Sequence, residues 1–141
     1  MESPNFTVDF ERDILTTATH LYSGTRINMD APLDNFGKAS SFSPTDLVSA
    51  SLSSCMMSVV AINYKNRGLE LKPIQSQVKK VMASNPRRIS EIHIEFDFGT
   101  NNFSKEELEQ VARLMHACPV AHSLHPEIKI VTNLEQLIAA S

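Results

Sequence analysis

The chain has 141 residues, 42% of them hydrophobic, with 13 Lys and Arg set against 16 Asp and Glu. That is the size of one ordinary domain, 1–141, with enough apolar content to build a core. A formal net charge of -3 and the lack of any Lys/Arg-rich run exclude the electrostatic footprint of a nucleic-acid binder. The densest basic stretch, Lys79 and Lys80 followed by Arg87 and Arg88, is broken by Val81, Met82 and Pro86 and reads as a solvated hairpin end.

The first residues, MESPNFTVDFERD, show no basic segment leading into an apolar core, so no secretory signal is expected. No uninterrupted apolar run approaches the roughly 18 residues that a membrane helix needs. The expected location is cytoplasmic, with no membrane partner. Phe6, Val8 and Phe10 alternate with polar residues and predict a strand. A second follows over 14–21 before the turn Ser23-Gly24, and a third over 25–30. Residues 31–43 are rich in turn formers and read as a loop.

Ser43 then offers an N-cap, Pro44 the first helical position and Asp46 an acid in the first turn. A helix of about six turns is predicted from Pro44 to the Asn66-Arg67-Gly68 stop. Val48, Leu52, Cys55, Val59 and Ile62 form its expected buried stripe, and Leu47, Ala50, Met56, Met57 and Val60 fill most of the remaining circumference. Such a helix is central and nearly surrounded. One small set of strands covers one side of it, so a second copy of the chain is expected to cover the rest.

Strands over 72–84 and 91–98, joined by Asn85-Pro86-Arg87-Arg88, predict a long hairpin with Ile92, Ile94, Phe96 and Phe98 on one face. Ser104 caps a second helix with Glu107 three residues on, and its buried stripe is Leu108, Val111, Ala112 and Met115. Pro119 interrupts that helix just after Cys118. A helical turn over 120–124, a strand over 128–132 and an unassigned tail over 134–140 complete the order. The class is α+β rather than βαβ-wound.

In a reducing cytosol two cysteines are more often catalytic, redox-active, metal-binding or simply buried than a structural staple. Disulfide partners need Cα atoms within roughly 4.4 to 6.8 Å, which requires the end of the second helix to cross the middle of the first. Two cysteines alone fit small buried hydrophobes equally well. His116, Cys118, His122 and His125 raise a zinc site, but Pro119 breaks their register and no second ligand pair has matching spacing. Met56, Met57 and Met115 fall at helical spacing and read as core filler.

Two segments change the balance. Ser43-Pro44-Thr45-Asp46-Leu47, continuing to Ala50, Leu52 and Cys55, and Cys118-Pro119-Val120-Ala121-His122-Ser123-Leu124 together resemble the OsmC/Ohr family, in the right order and over roughly 20–132. The resemblance implies an OsmC-like fold in an intertwined homodimer, with the thiols at the subunit interface. It further implies a thiol-dependent peroxidase acting on organic hydroperoxides, lipid or alkyl. Cys55 would be the peroxidatic cysteine, Cys118 the resolving one, and a small dithiol or lipoyl-type donor the external reductant; no bound metal or organic cofactor is required.

The family sets an arginine from the N-terminal strands, held by a carboxylate near the start of the central helix, beside the peroxidatic thiol. Arg26 is the first candidate here and Arg12 the second, though neither has the family's Gly-Gly-Arg context. Asp46 matches the acidic position of the broader pattern, yet the hydroperoxide reductases carry glutamate directly after the proline, where this chain has Thr45. Asp46 also serves as a cap residue, and nine residues of helix turn it about 180° from Cys55. The Thr45 departure keeps an alternative open: a non-enzymatic OsmC-like dimer with a stress-response or small-ligand-binding role.

Overall fold

A computed structural model describes residues 2–141, which divide into two compact units, one ending at Val48 and one running Ser49–Ser141.

In the first unit, strands β1 (Phe6–Arg12), β2 (Leu15–His20) and β3 (Arg26–Met29) form an antiparallel sheet in that order. Pairing of Val8 with Ala18 and of Ala18 with Ile27 puts the apolar alternation on one face. Phe6, Val8 and Phe10 nevertheless remain 60%, 58% and 70% exposed. Their period of two sufficed to make the strand without burying its side chains. The loop after β3 holds a 3-10 turn at Leu33–Asn35, and Gly37 packs backbone to backbone on Ala31. Asp30, buried at its base, accepts hydrogen bonds from the Ser40 N–H at 3.0 Å, the Ser40 hydroxyl at 2.7 Å and the Lys38 N–H at 3.3 Å.

Helix α1 (Pro44–Asn66) starts at the first unit's end and continues into the second. The Ser43 N–H donates to Asp46 Oδ2 at 2.9 Å and the Asp46 N–H to Ser43 Oγ at 3.1 Å, a reciprocal cap. At the other end Gly68 takes φ +67, so that Gly68 N–H reaches Lys65 C=O and Leu69 N–H reaches Tyr64 C=O. The buried stripe differs from the expected one: it is Ser49, Leu52, Ser53, Met56, Val60 and Tyr64, while Cys55 and Val59 are half-buried and Val48 and Ile62 exposed. Ser49 and Ser53 are buried in place of apolar residues, and the Ser53 and Ser76 hydroxyls share a hydrogen bond at 2.7 Å that draws this face of the helix to the strand carrying Ser76. By length and composition α1 is also apolar enough to cross a membrane, with mean hydropathy 1.5 over 18 residues. Serines interrupt the apolar runs of α1 without adding charge, so no single run reaches that length although the helix does.

The second unit has one three-stranded sheet, β4 (Gln75–Ala83), β5 (Arg88–Asp97) and β6 (Lys129–Thr132), with β4 antiparallel and β6 parallel to the central β5. Ile92, Ile94, Phe96 and Phe98 all point into the core as expected. β5 begins at Arg88 rather than Glu91, because pairing resumes past a bulge at Val81/Met82 and runs to the turn. Helix α2 (Lys105–His116) carries the predicted capping box and buries Leu108, Val111, Ala112 and Met115. Helix α3 (Pro119–Ser123) follows, and the unassigned tail forms α4 (Leu134–Ala140), anchored by buried Leu134. Asn133 prepares that ending: its side-chain amide exchanges two hydrogen bonds with the Phe96 backbone, at 2.9 and 3.0 Å, standing in for one more residue of β6.

Leu52, Met56 and Val60 of α1, the four inward residues of the β5 region, and Leu108, Val111 and Met115 of α2 make one buried cluster, which also contains Cys118. The class is α+β, with one parallel crossover from β5 through α2 to β6 that the order of elements alone had not indicated.

Candidate functional site

Cys55 comes from the fourth turn of α1, on the edge of its buried stripe. Cys118 comes from the break between α2 and α3. Ala117 ends α2 with its N–H shared among the carbonyls of Arg113, Leu114 and Met115, and Pro119 occupies the first position of α3. Proline there needs no N–H and has its φ already set, so the residue before it becomes the N-cap. That residue is Cys118, and its sulfur accepts a hydrogen bond from the Ala121 N–H at 3.4 Å.

The two thiols are neighbours and both are free. Cys118 is 0% exposed, whereas Cys55 is half-buried. Burial pushes the Cys118 thiol up from its ordinary value, the Ala121 N–H pulls it back, and the hydrogen bond and charge of Cys55 raise it again. A buried thiol beside a second, more open thiol has the ingredients for a dithiol–disulfide couple. The backbone donors at Val120 and Ala121 were missed as site groups; the Cys-Pro pair was the available signal, since proline at a helix start aims the following N–H groups at the preceding side chain.

Arg26 and Asp46 belong to the first unit, Cys55 and Cys118 to the second. Arg26 lies on β3 with its guanidinium 3.7 Å from Glu11, an exposed pair. Glu11 in turn accepts from the buried Thr17 hydroxyl at 2.7 Å, so the carboxylate beside Arg26 is held in place from below. Asp46 serves the α1 cap. Thr45 hydroxyl and Ser43 hydroxyl lie 3.1 Å apart in the same cap. Arg12 closes β1 at its bulge and is exposed.

His116 ends α2 and His122 lies in α3, both lining an open groove of about 560 Å³ with Glu109, Arg113 and Glu135. His125 Nδ1 accepts the Glu127 N–H. Among the described residues no three His, Cys, Asp or Glu side chains stand together as a metal site.

Residues 37–133, well over half of the chain and including both cysteines, match the family described as OsmC-like protein. The chain belongs to that family. A solved protein from Psychrobacter arcticus 273-4, named for osmotic stress induction and a detoxification response, is 36% identical, with 94% of this chain and 97% of that one covered at a TM-score of 0.87. The fold is shared more distantly with an organic hydroperoxide resistance protein OsmC from Legionella pneumophila, 11% identical over 90% of this chain and 93% of that one at a TM-score of 0.68. It is also shared with the organic hydroperoxide resistance protein OhrB of Bacillus subtilis, 13% identical over 90% and 95% at 0.58. No curated protein sequence matches this chain.

Proposed function

We propose that this OsmC-like chain is a thiol-dependent peroxidase that reduces organic hydroperoxides through Cys55 and Cys118. The observation that carries the reading is the pairing of a half-buried thiol on a rigid helix with a fully buried thiol that is already hydrogen-bonded at its sulfur. The Cys55 thiolate attacks the distal peroxide oxygen, the O–O bond breaks and the alcohol leaves with a proton, placing a sulfenic acid on Cys55. The Cys118 sulfur then attacks that sulfur, water departs and a disulfide forms. Two electrons have passed to the peroxide, and an external dithiol returns them. The names of the Legionella and Bacillus proteins, which share this fold, support organic hydroperoxides as the substrate class.

The working form in this reading is a homodimer in the cytoplasm. Val48 and Ile62 on α1 and Phe6, Val8 and Phe10 on β1 are large apolar side chains that a single chain leaves exposed, and a second copy would cover them. A thiolate at neutral pH needs a cation, and Arg26, with Asp46 as the family's acidic position, is assigned that role. Thr45, hydrogen-bonded within the α1 cap where the hydroperoxide reductases have glutamate, favours a second reading: an OsmC-like dimer that binds a small ligand without turning over peroxide.

Stopped-flow consumption of cumene hydroperoxide and of hydrogen peroxide by the reduced protein separates the two. Rapid loss of two thiols per chain with the organic peroxide, abolished in Cys55→Ser and slowed in Arg26→Ala, is the expected result. Consumption no faster than that of a free thiol, with both cysteines still reduced, would leave the ligand-binding reading.

A further inference from the structure

The two sulfurs differ in ways that give the reductive half of the cycle a direction. Cys118 is enclosed completely by residues of its own chain, so adding a second subunit cannot open it. A thiol can reach it only if α3 or the end of α2 moves. Cys55 is half-buried on α1 and is the more open of the two cysteines.

Leaving ability at Cys118 is set by opposing effects: burial and the neighbouring Cys55 raise its thiol pKa, while the Ala121 and Val120 N–H groups lower it and favour its thiolate. In thiol–disulfide exchange one sulfur is attacked and the other departs as thiolate, and the better-stabilised thiolate departs faster. The Cys118 sulfur sits at the head of α3 with the Ala121 N–H donating to it at 3.4 Å and the Val120 N–H also directed at it. Those donors already face the sulfur in the reduced chain, so charge arriving there meets N–H groups that need no rearrangement.

Resting on the peroxidase reading above, we infer that the reductant attacks Cys55 and that Cys118 is the sulfur expelled. A thiolate of a small dithiol attacks Cys55 Sγ, a new S–S bond forms between them, and the electron pair of the old bond leaves on Cys118 Sγ. The second thiolate of the dithiol attacks its own linked sulfur, closing a cyclic disulfide and expelling the Cys55 thiolate. The two dithiol protons end on the two cysteines. The Ala121 and Val120 N–H groups are positioning groups for the departing sulfur.

The test uses full-length protein oxidised in parallel with cumene hydroperoxide and with diamide, then exposed briefly to glutathione as a monothiol probe, alkylated under acid quench and mapped by mass spectrometry. Glutathione is expected on Cys55 and the alkyl label on Cys118, with an excess over the reverse pattern of about tenfold or more. Adducts on Cys118, or shared equally, overturn the inference, as does failure of both oxidants to join the cysteines. Ala121→Pro removes a donor that no helical carbonyl needs and should slow disulfide reduction by dithiothreitol about tenfold, while Ala121→Gly, which keeps the N–H, should not. An unchanged rate in Ala121→Pro overturns the role given to that donor. If diamide forms the disulfide and peroxide does not, the peroxidase reading falls while the attack site is still read from the diamide-oxidised protein.

Discussion

Gly37 lies so close to Ala31 that a Cβ built on it would fall 1.7 Å from the Ala31 carbonyl oxygen. The Gly37 N–H bonds the Pro32 carbonyl at 3.1 Å, and Ala39 N–H bonds the Ala31 carbonyl at 3.2 Å, so the loop is closed on itself at this point. Gly37→Ala must displace backbone. It should destabilise the protein by about 3 kcal/mol or more, measured as the shift of the urea midpoint at unchanged m-value.

Asp30 is the anchor of the same loop. The Ser40 hydroxyl, then the Ser40 and Lys38 N–H groups, hold its carboxyl below the usual range against the opposing effect of burial. A folded-state value below the unfolded one stabilises the fold above the unfolded value, near 3.9. That contribution is lost as pH falls through the folded value. Asp30→Asn should therefore flatten the fall in stability at the acid end of a pH series, read from thermal midpoints between pH 3 and 7. A slope identical to that of the parent chain would show that the clamp does not operate.

Ser104 and Glu107 exchange hydrogen bonds at the start of α2, at 2.7 and 3.2 Å. The site is exposed, so the effect of removing it is local to the helix end. Ser104→Ala should cost about 1 kcal/mol, read in equilibrium unfolding, and hydrogen exchange should rise first at the amides of residues 105–107.

Leu52 and Val48 distinguish the observed helix face from the one that apolar spacing suggests. Leu52 is 0% exposed and Val48 37%. Leu52→Ala should cost about 2–5 kcal/mol through lost burial and the cavity left behind. Val48→Ala should cost far less in the dilute chain, and equal losses for the two would restore the spacing-derived stripe.

Much of this protein was legible in its sequence where one local rule acted alone. Ser43-Pro44 and Gly68 bounded α1 correctly because caps depend on groups within a few residues. The alternation of Ile92, Ile94, Phe96 and Phe98 placed a strand and its buried face together, and Ser104 with Glu107 gave α2. The Cys55 and Cys118 segments, read as motifs, gave the family.

The tertiary structure decided what depends on residues far apart. The face that α1 buries was not set by its most apolar stripe, because nearly every face of that helix is apolar and the choice fell to contacts such as Ser53 with Ser76. Phe6, Val8 and Phe10 were read as a strand, but whether a strand face is covered depends on what is packed over it, and in this chain they stay exposed. The parallel docking of β6 and the folding of residues 134–140 into α4 required β5 to be in place, since Asn133 completes its bonds on Phe96. The closeness of Cys55 to Cys118, and the difference in their burial, likewise exist only once α1 and the α2–α3 break share one core. Caps and periodicity are written in a few neighbouring residues, while burial and proximity are properties of the packed chain.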